Sequence, residues 1–447
     1  MNLKIREIDT KLYPFEIFSI FKDTKDAVFL DSSKEDKKLS KYSFIGINPI
    51  EKIEILEDSK EDGFDLLNKK IKEYKLDIKS DIPFVGGFIG YISYDMGRKL
   101  EVIKDTSKED FKIPLMRFNL YKNIIIFDLK LNKVYITDLY ETEKDSNIEE
   151  IIKKINLFKP LKTLREKTIR NKNTEFISNF SKEEYIKAVK KMRNYIENGD
   201  IYIANMTQRY YCTSNKDSFA LYEDLREINK APFSAFINYE DFQIISSSPE
   251  RFIKIKDNLV STRPIKGTRP RGKNEKEDAK NKLELINSEK DKSELLMIVD
   301  LERNDLSKVC ENNSVKVTEL FKIEEYQTVF HLVSTIEGKL KKENTAVDCM
   351  RECFPGGSIT GAPKIRAMEI IEELEGVKRN LYTGCIGYFD LRGNSDFNIA
   401  IRTILKRDNK AYFGGGGGVT YESNEEDEYI ETLDKAVALM KVLKWEK

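Results

Sequence analysis

The chain has 447 residues, 40% hydrophobic and 11% aromatic, enough to bury a substantial core in one large domain or two to three ordinary ones; this excludes a disordered chain. Lys and Arg total 77, as do Asp and Glu, so no global field draws the chain to nucleic acid or a membrane, and any anion must be bound locally. No apolar run approaches the roughly 20 residues of a membrane span, and five scattered cysteines without a C-x-x-C pair point to reduced thiols in the cytoplasm, not a disulfide framework or a zinc site.

The start, MNLKIREIDTKLYPF, has no basic segment followed by an apolar one, so no secretory leader is expected. Residues 1 to about 140 alternate strand-like runs with turns: AVFLDSS, PFVGGFIGYISYD and NIIIFDLKLNKVYITDLY, the last a hairpin through KLNK. From about 141 to 176 the composition turns polar and charged, with one short helix. This reads as a linker between an amino-terminal β-rich region, 1–165, and a larger carboxy-terminal region, 175–447. SKEEYIKAVKKMRNYIENGD predicts a helix with Ser181 and Glu184 as capping box, Ile186, Val189, Met192 and Ile196 on one face, and Gly199 as the stop.

Strand-like IYIANMTQRYYC and FSAFINYEDFQIISSSPERFIKI follow, then the helical EKDKSELLMIVDLERNDLSKVC. Next come YQTVFHLVSTIEGKL, the turn-rich FPGGSITGAPK and the helix IRAMEIIEELE. Cys349 and Cys353, four apart, can share a helix face but have no second pair with which to hold a metal. Strands YTGCIGYFDL and FNIAIRTILKRD lead to AYFGGGGGVTYES. A last helix, about 424 to 444, is expected to start on a Ser423–Glu426 capping box, with Leu433, Val437 and Met440 along one face. Helices and hairpin-connected strands mix without a βαβ rhythm, which predicts an α+β protein with mainly antiparallel sheets.

Chemistry-bearing residues stand out against this frame. The only histidine, His331, excludes any two-histidine metal site. Glu428 and Glu431, three apart, project from one helix face, and Glu294 borders the apolar run LLMIVD. Three carboxylates without histidine suit a hard ion such as Mg2+, although SNEEDEYIET alone also reads as a solvated acidic face. The glycines 414–418 can bring backbone N–H groups close to an anion, or simply form a flexible loop; no Walker A or dinucleotide fingerprint is present. Arg402, in the otherwise apolar IAIRTI, needs a buried anion or a solvent-facing side. RPIKGTRPRG is either a basic patch or the setting of one reactive amine. It has no interleaved aromatics, and in an extended segment Lys266 and Arg263 face opposite ways. An amine there becomes nucleophilic where its surroundings disfavour the charged form.

The motifs PIKGTRPRG, DLERNDLSKVC, FPGGSITGAPK, IAIRT and EYIETLDKA, with FHLVSTIEG around the histidine, together resemble the chorismate-utilising enzymes, densely over about 180 to 445. In the amino-terminal part FLDSS and KYSFIGINP resemble that family's regulatory strands. The resemblance implies large antiparallel sheets packed as a sandwich with helices on the outer faces, and a chorismate-binding catalytic domain at 175–447. Within the family, Lys266 in PIKGT and Asn205 and Thr207 in IANMTQR match the aminodeoxychorismate synthase branch, whereas anthranilate synthases carry a small residue at the lysine position. The water-activating lysine of isochorismate and salicylate synthases aligns with Ile203, where the other two branches commonly have glutamine.

As the resemblance implies, Glu294, Glu428 and Glu431 hold Mg2+, Glu250 is the general acid, Lys266 attacks the ring and His331 lies by the ring hydroxyl region. Arg402, Tyr382 and the amides of Gly416, Gly417 and Gly418 take the enolpyruvyl carboxylate; Thr360 and Gly361 lie near a carboxylate; Lys364 and Asn205 complete the substrate contacts. Ammonia is expected from a separate glutamine amidotransferase subunit, because a Cys-His-Glu glutaminase needs a histidine in another context than VFHLV. The chain's end at Lys447 is taken to leave no room for a fused lyase. Tryptophan is a candidate ligand of the amino-terminal region.

Overall fold

The computed structural model describes residues 1–34, 39–159, 169–170, 174–326 and 329–446. The expected boundary at residue 165 falls outside them. Among the described residues, 20 strands join in one sheet whose strand pairings are antiparallel throughout.

The strand Met116–Asp128 is a fork. One edge pairs with Tyr42–Ile55 along its length, and the other pairs first with Gly87–Ile92 and then with Lys133–Tyr140 across the KLNK hairpin. From Tyr42–Ile55 one arm runs through Val28–Asp31, Phe233–Asn238, Gln243–Ser248, Thr403–Arg407 and Lys410–Val419 to Ile203–Thr213. From Gly87–Ile92 the other runs through Cys385–Asp390, Ser395–Ile399, Arg251–Lys256 and Leu259–Arg263 to Val329–Lys339, which also carries Ile265–Pro270 and Lys316–Glu325. Strands from before the linker therefore form the centre of one sheet, and strands from after it extend both arms.

Packing explains the layers. One buried cluster, including Phe44, Tyr91, Tyr121, Ile237, Tyr388 and Leu405, holds strand and loop residues with no helix among them, which is the interior of a sandwich. Helices close the outer faces. Pro14–Phe21, Ile148–Leu157, Ser218–Ile228 and Glu425–Leu443 bring Phe18, Ile151, Leu221 and Leu439 to one cluster. Gly63–Glu73, Glu289–Val309 and Ala346–Cys353 bring Leu67, Leu295 and Met350 to another. Each such side chain contributes roughly 1.5–3 kcal/mol by leaving water, which holds these helices on the sheet. Among the described residues no helix is long and apolar enough to cross a membrane.

Local expectations fare unevenly. The helix Lys182–Glu197 has the Ser181–Glu184 capping box, but its buried face is Tyr185, Ala188, Val189 and Met192, with Ile186 and Ile196 only half-buried. The last helix, Glu425–Leu443, starts one residue later than expected. Asn424 accepts from the Glu426 and Asp427 amides, which frees Ser423 to donate to Glu428 at 2.6 Å. Its buried face is accordingly Glu428, Thr432, Ala436 and Leu439, and Val437 is 60% exposed. The strand expected across IAIRTI is two, Ser395–Ile399 and Thr403–Arg407, broken at Arg402, whose φ is 52°. The glycine run is strand, not loop, because Lys410–Val419 pairs with Ile203–Thr213 along its whole length.

Candidate active site

The free ends of the two sheet arms meet around Lys266. It sits on Ile265–Pro270, opposite Leu332, and its Nζ donates to the Ser358 carbonyl at 3.2 Å. From the other arm, Asn205 Nδ2 donates to the same carbonyl at 2.8 Å. A methyl group on Gly418 would stand 3.3 Å from each of Lys266 Nζ, Asn205 Oδ1 and Ile203 Cδ1, so these groups share one wall. The neighbouring arginines form no patch. Arg263 is paired with Glu324, Arg269 with Glu284 and Asp291, and Arg271 with Asp278.

Glu250, at the turn from one arm to the other, is buried beside this amine. Burial raises its proton affinity, and hydrogen bonds from the Ser358 side chain and the Ile265 amide, with the charge of Lys266, draw it back. Ser358 thus ties acid and amine to one short segment.

Two of the other three carboxylates, Glu428 and Glu431, lie next to Gly417. A methyl there would meet Glu431 Oε1 at 2.9 Å and Glu428 Oε2 at 3.0 Å. Burial and then the Glu431 charge push Glu428 up to about 7. Burial works against Glu431 too, but Lys435, with a 2.5 Å ion pair, and Lys266 leave it lowered. Glu294 is raised by burial and feels Lys266, Lys290 and Glu431. Among the described residues no three side chains close into a ready metal cage. The donors nonetheless fit a hard cation: all are carboxylate oxygens, and Glu428 Oε2 is buried without any hydrogen-bond partner.

Register separates the glycines by role. The Asn205 amide donates to Thr360 O at 2.7 Å and the Thr207 amide to Glu375 Oε1 at 2.8 Å, both away from the glycine strand. The pairs Gly418–Asn205 and Gly416–Thr207 are therefore of the non-hydrogen-bonded kind, and the N–H groups of Gly416 and Gly418 point to the opposite edge. On that edge Lys435 Nζ holds Gly416 O at 2.8 Å, leaving the amides for an anion. Gly417 is in the hydrogen-bonded pair with Met206, so its amide belongs to the sheet and its missing side chain makes room for the acids.

Tyr382 lies over Gly414, at the near end of the same strand. Arg402 donates to the Lys435 carbonyl, and burial lowers its proton affinity, with Tyr382 and Glu431 acting against this. His331 shares a 2.8 Å hydrogen bond with Thr268 through Nδ1; burial and then Lys34 push it down to about 4, so the imidazole is neutral. Three expected substrate contacts are otherwise engaged. Thr360 Oγ1 donates to Gly356 O at 2.9 Å, and Lys364 Nζ to Asp305 Oδ2 at 2.6 Å and Cys353 O at 2.9 Å. Gly361 lets its segment pass against the Ile203 carbonyl, where any side chain would collide.

Lys435 and Lys290 are not singled out from the sequence, although each stands four residues from the acid it pairs with, Glu431 and Glu294 respectively. A separate cavity of about 260 Å3 lies between the strands around Ser32, Phe44, Pro232, Lys254 and Tyr388.

The match to known proteins spans nearly the whole chain. The family profile of chorismate binding enzymes covers residues 25–441. Aminodeoxychorismate synthase component 1 of Escherichia coli is 40% identical over 363 residues, 81% of this chain and 78% of that protein. Anthranilate synthase component 1 of Saccharolobus solfataricus is 38% identical over 441 residues, 98% of each. The crystal structure of anthranilate synthase component I from Streptococcus pneumoniae superposes with a TM-score of 0.80 at 31% identity, covering 92% of this chain and 94% of that one. Motifs, α+β fold and sequence identity agree, and the chain belongs to the chorismate-binding enzymes.

Proposed function

We propose that the chain makes 4-amino-4-deoxychorismate from chorismate and ammonia, as component I of a two-component synthase that supplies p-aminobenzoate and folate synthesis. The observation that carries this reading is Lys266, whose amine lies within the group formed by Glu250, Asn205, Gly418 and the acidic cluster. Relatives named aminodeoxychorismate synthase component 1, at 36–40% identity, support it. Anthranilate formation, the reaction named for other relatives, has no evident use for an amine at this point. Isochorismate formation needs a base where Ile203 stands.

Glu294, Glu428 and Glu431 would hold Mg2+, and when bound it would supply a Lewis acid for the substrate's carboxylate. A proton moving from the Lys266 ammonium to Glu250 creates both reactive forms at once, a neutral amine and a protonated acid. The amine nitrogen then bonds to C2 and both conjugated ring double bonds shift toward C4 as the C4–O bond breaks. Glu250 gives its proton to the hydroxyl, which leaves as water. Ammonia bonds to C4, both double bonds shift back, the C2–N bond breaks, and a proton from the new C4 ammonium returns to the Lys266 amine. Gly416 and Gly418 amides, with Arg402, would take the enolpyruvyl carboxylate.

The partner is a glutamine amidotransferase subunit; the designation "component 1" of the relatives supports a second component. The same reading places tryptophan in the 260 Å3 cavity, supported by the aromatic walls Phe44 and Tyr388 and by Lys254 as a counter-charge for its carboxylate.

The test supplies the purified chain with chorismate, Mg2+ and an ammonium salt. A product that becomes p-aminobenzoate only after a lyase is added supports the reading, and release of fluorescent anthranilate overturns it. Lys266→Ala must also lose any covalent chorismate-derived mass.

A further inference from the structure

Behind Glu250 lies a second buried carboxyl that the reaction above does not use. Glu302, on the helix Glu289–Val309, is 6% exposed. Thr262, three residues before Ile265, donates to its Oε2 at 2.8 Å. Its Cγ lies 3.4 Å from where a methyl on Gly357 would stand, so Gly357 admits it to the segment whose next residue, Ser358, binds both Glu250 and Lys266. The charged and titratable groups that face it are Glu250 from the strand turn, Asp305 one turn along its own helix, and Lys364 from the helix Lys364–Glu375. Lys364 is already committed to Asp305 by a 2.6 Å ion pair. An ionised Glu302 would thus face two acids with no cation of its own.

We propose that Glu302 is a positioning residue for proton delivery: a neutral carboxylic acid behind Glu250 that lets negative charge develop on Glu250 as the hydroxyl leaves. This rests on the reaction proposed above. When Glu250 gives up its proton it becomes a buried carboxylate. A neutral neighbour accepts that charge, and an ionised one repels it. Burial first, and then the charges of Glu250 and Asp305, push Glu302 up to about 8 against the Thr262 hydrogen bond, so the neutral form prevails at neutral pH. Proton delivery should then weaken as the pH rises through Glu302's ionisation.

The test follows chorismate consumption with ammonium and Mg2+ from about pH 7 to about pH 9 in wild type and Glu302→Gln, a neutral isostere that keeps the acceptor for Thr262. Ammonia speciation cancels in the ratio of the two rates. With ionisation near 8, about nine-tenths of wild-type Glu302 is charged at about pH 9; the Gln-to-wild-type ratio is expected to rise about tenfold across the range. A ratio that stays flat overturns the proposal, because a merely structural Glu302 gives no reason for pH dependence. If the Gln variant fails to fold, Thr262→Val decides. Losing a bond that favours the charged form should move the alkaline fall to higher pH, and an unmoved fall refutes it. Consumption is read whatever the product. Anthranilate would overturn the functional reading and leave this test standing, while a flat ratio with aminodeoxychorismate as product would do the reverse.

Discussion

Gly417→Ala tests whether the acidic cluster is a site or a surface. The strand there is extended and paired with Met206, so alanine suits the backbone. The added methyl would stand 2.9 Å from Glu431 Oε1 and 3.0 Å from Glu428 Oε2; ordinary contact begins near 3.4 Å, so the two carboxylates must retreat by about 0.5 and 0.4 Å. Both are ends of flexible side chains, so the cost to the fold falls below the usual overpacking range, at about 1 kcal/mol or less. A misplacement of about 1 Å costs about 100-fold in rate, and half of that displacement implies roughly tenfold. Gly416→Ala is the control. Its methyl would meet the Met206 carbonyl at 2.5 Å, which as backbone cannot step aside, so stability is lost. Thermal unfolding and chorismate consumption against Mg2+ concentration separate the two. Wild-type rate and Mg2+ dependence in Gly417→Ala would refute the reasoning, as would a loss of stability matching Gly416→Ala.

Glu250→Gln removes the proton donor without changing shape, and a rate loss of about 100- to 10,000-fold is expected with an unchanged melting temperature; steady-state kinetics and calorimetry check it. His331 is the only histidine, so its imidazole NMR signals are unambiguous and should titrate near 4 in the folded chain. Because the folded value lies below the ordinary 6.5, the unfolded chain binds more protons between the two. Stability should therefore fall as pH drops through that window, and His331→Gln should lose less of it in urea unfolding. Arg379 is buried on Glu375 at 2.6 Å and holds the carbonyls of Ile359 and Asn205, each at 2.9 Å, which joins the two segments flanking the amine. Arg379→Met strands the buried Glu375 charge, so a loss of about 3–5 kcal/mol is expected in denaturant melts.

What could be read in the sequence was local. The Ser181 capping box needs only two side chains three positions apart, and it formed as expected. At the last helix two adjacent residues, Ser423 and Asn424, can both cap. The choice fell to Asn424 because Ser423 has a buried partner in Glu428, which no pattern of spacing reveals. The glycine run misleads for a related reason. Glycine weakens a strand through backbone entropy, so propensity favours a loop. Ten register pairs with Ile203–Thr213 outweigh that preference. The motifs named the fold and most of the site without showing the forked sheet that assembles them.

The cluster around Lys266 depends on that fork. Lys266 lies at the end of one arm and Gly418 on the next-to-last strand of the other, and the arms diverge from the two edges of Met116–Asp128. A single lysine in a ten-residue basic stretch therefore has no readable role until its neighbours are placed. Once placed, the three arginines around it each turn to an acid, and the lysine alone turns inward to Ser358. Glu250, Glu294 and Glu431 feel its charge from three separate segments, and Glu428 stands beside Glu431. Like charges crowded in this way raise one another's proton affinity unless cations intervene. Here Lys266, Lys290 and Lys435 do so incompletely, and Glu428 is left at about 7 with an unpartnered oxygen. That residual negative charge is what a divalent cation would neutralise before an anionic substrate could approach, and it argues for binding chemistry more directly than the presence of any one residue.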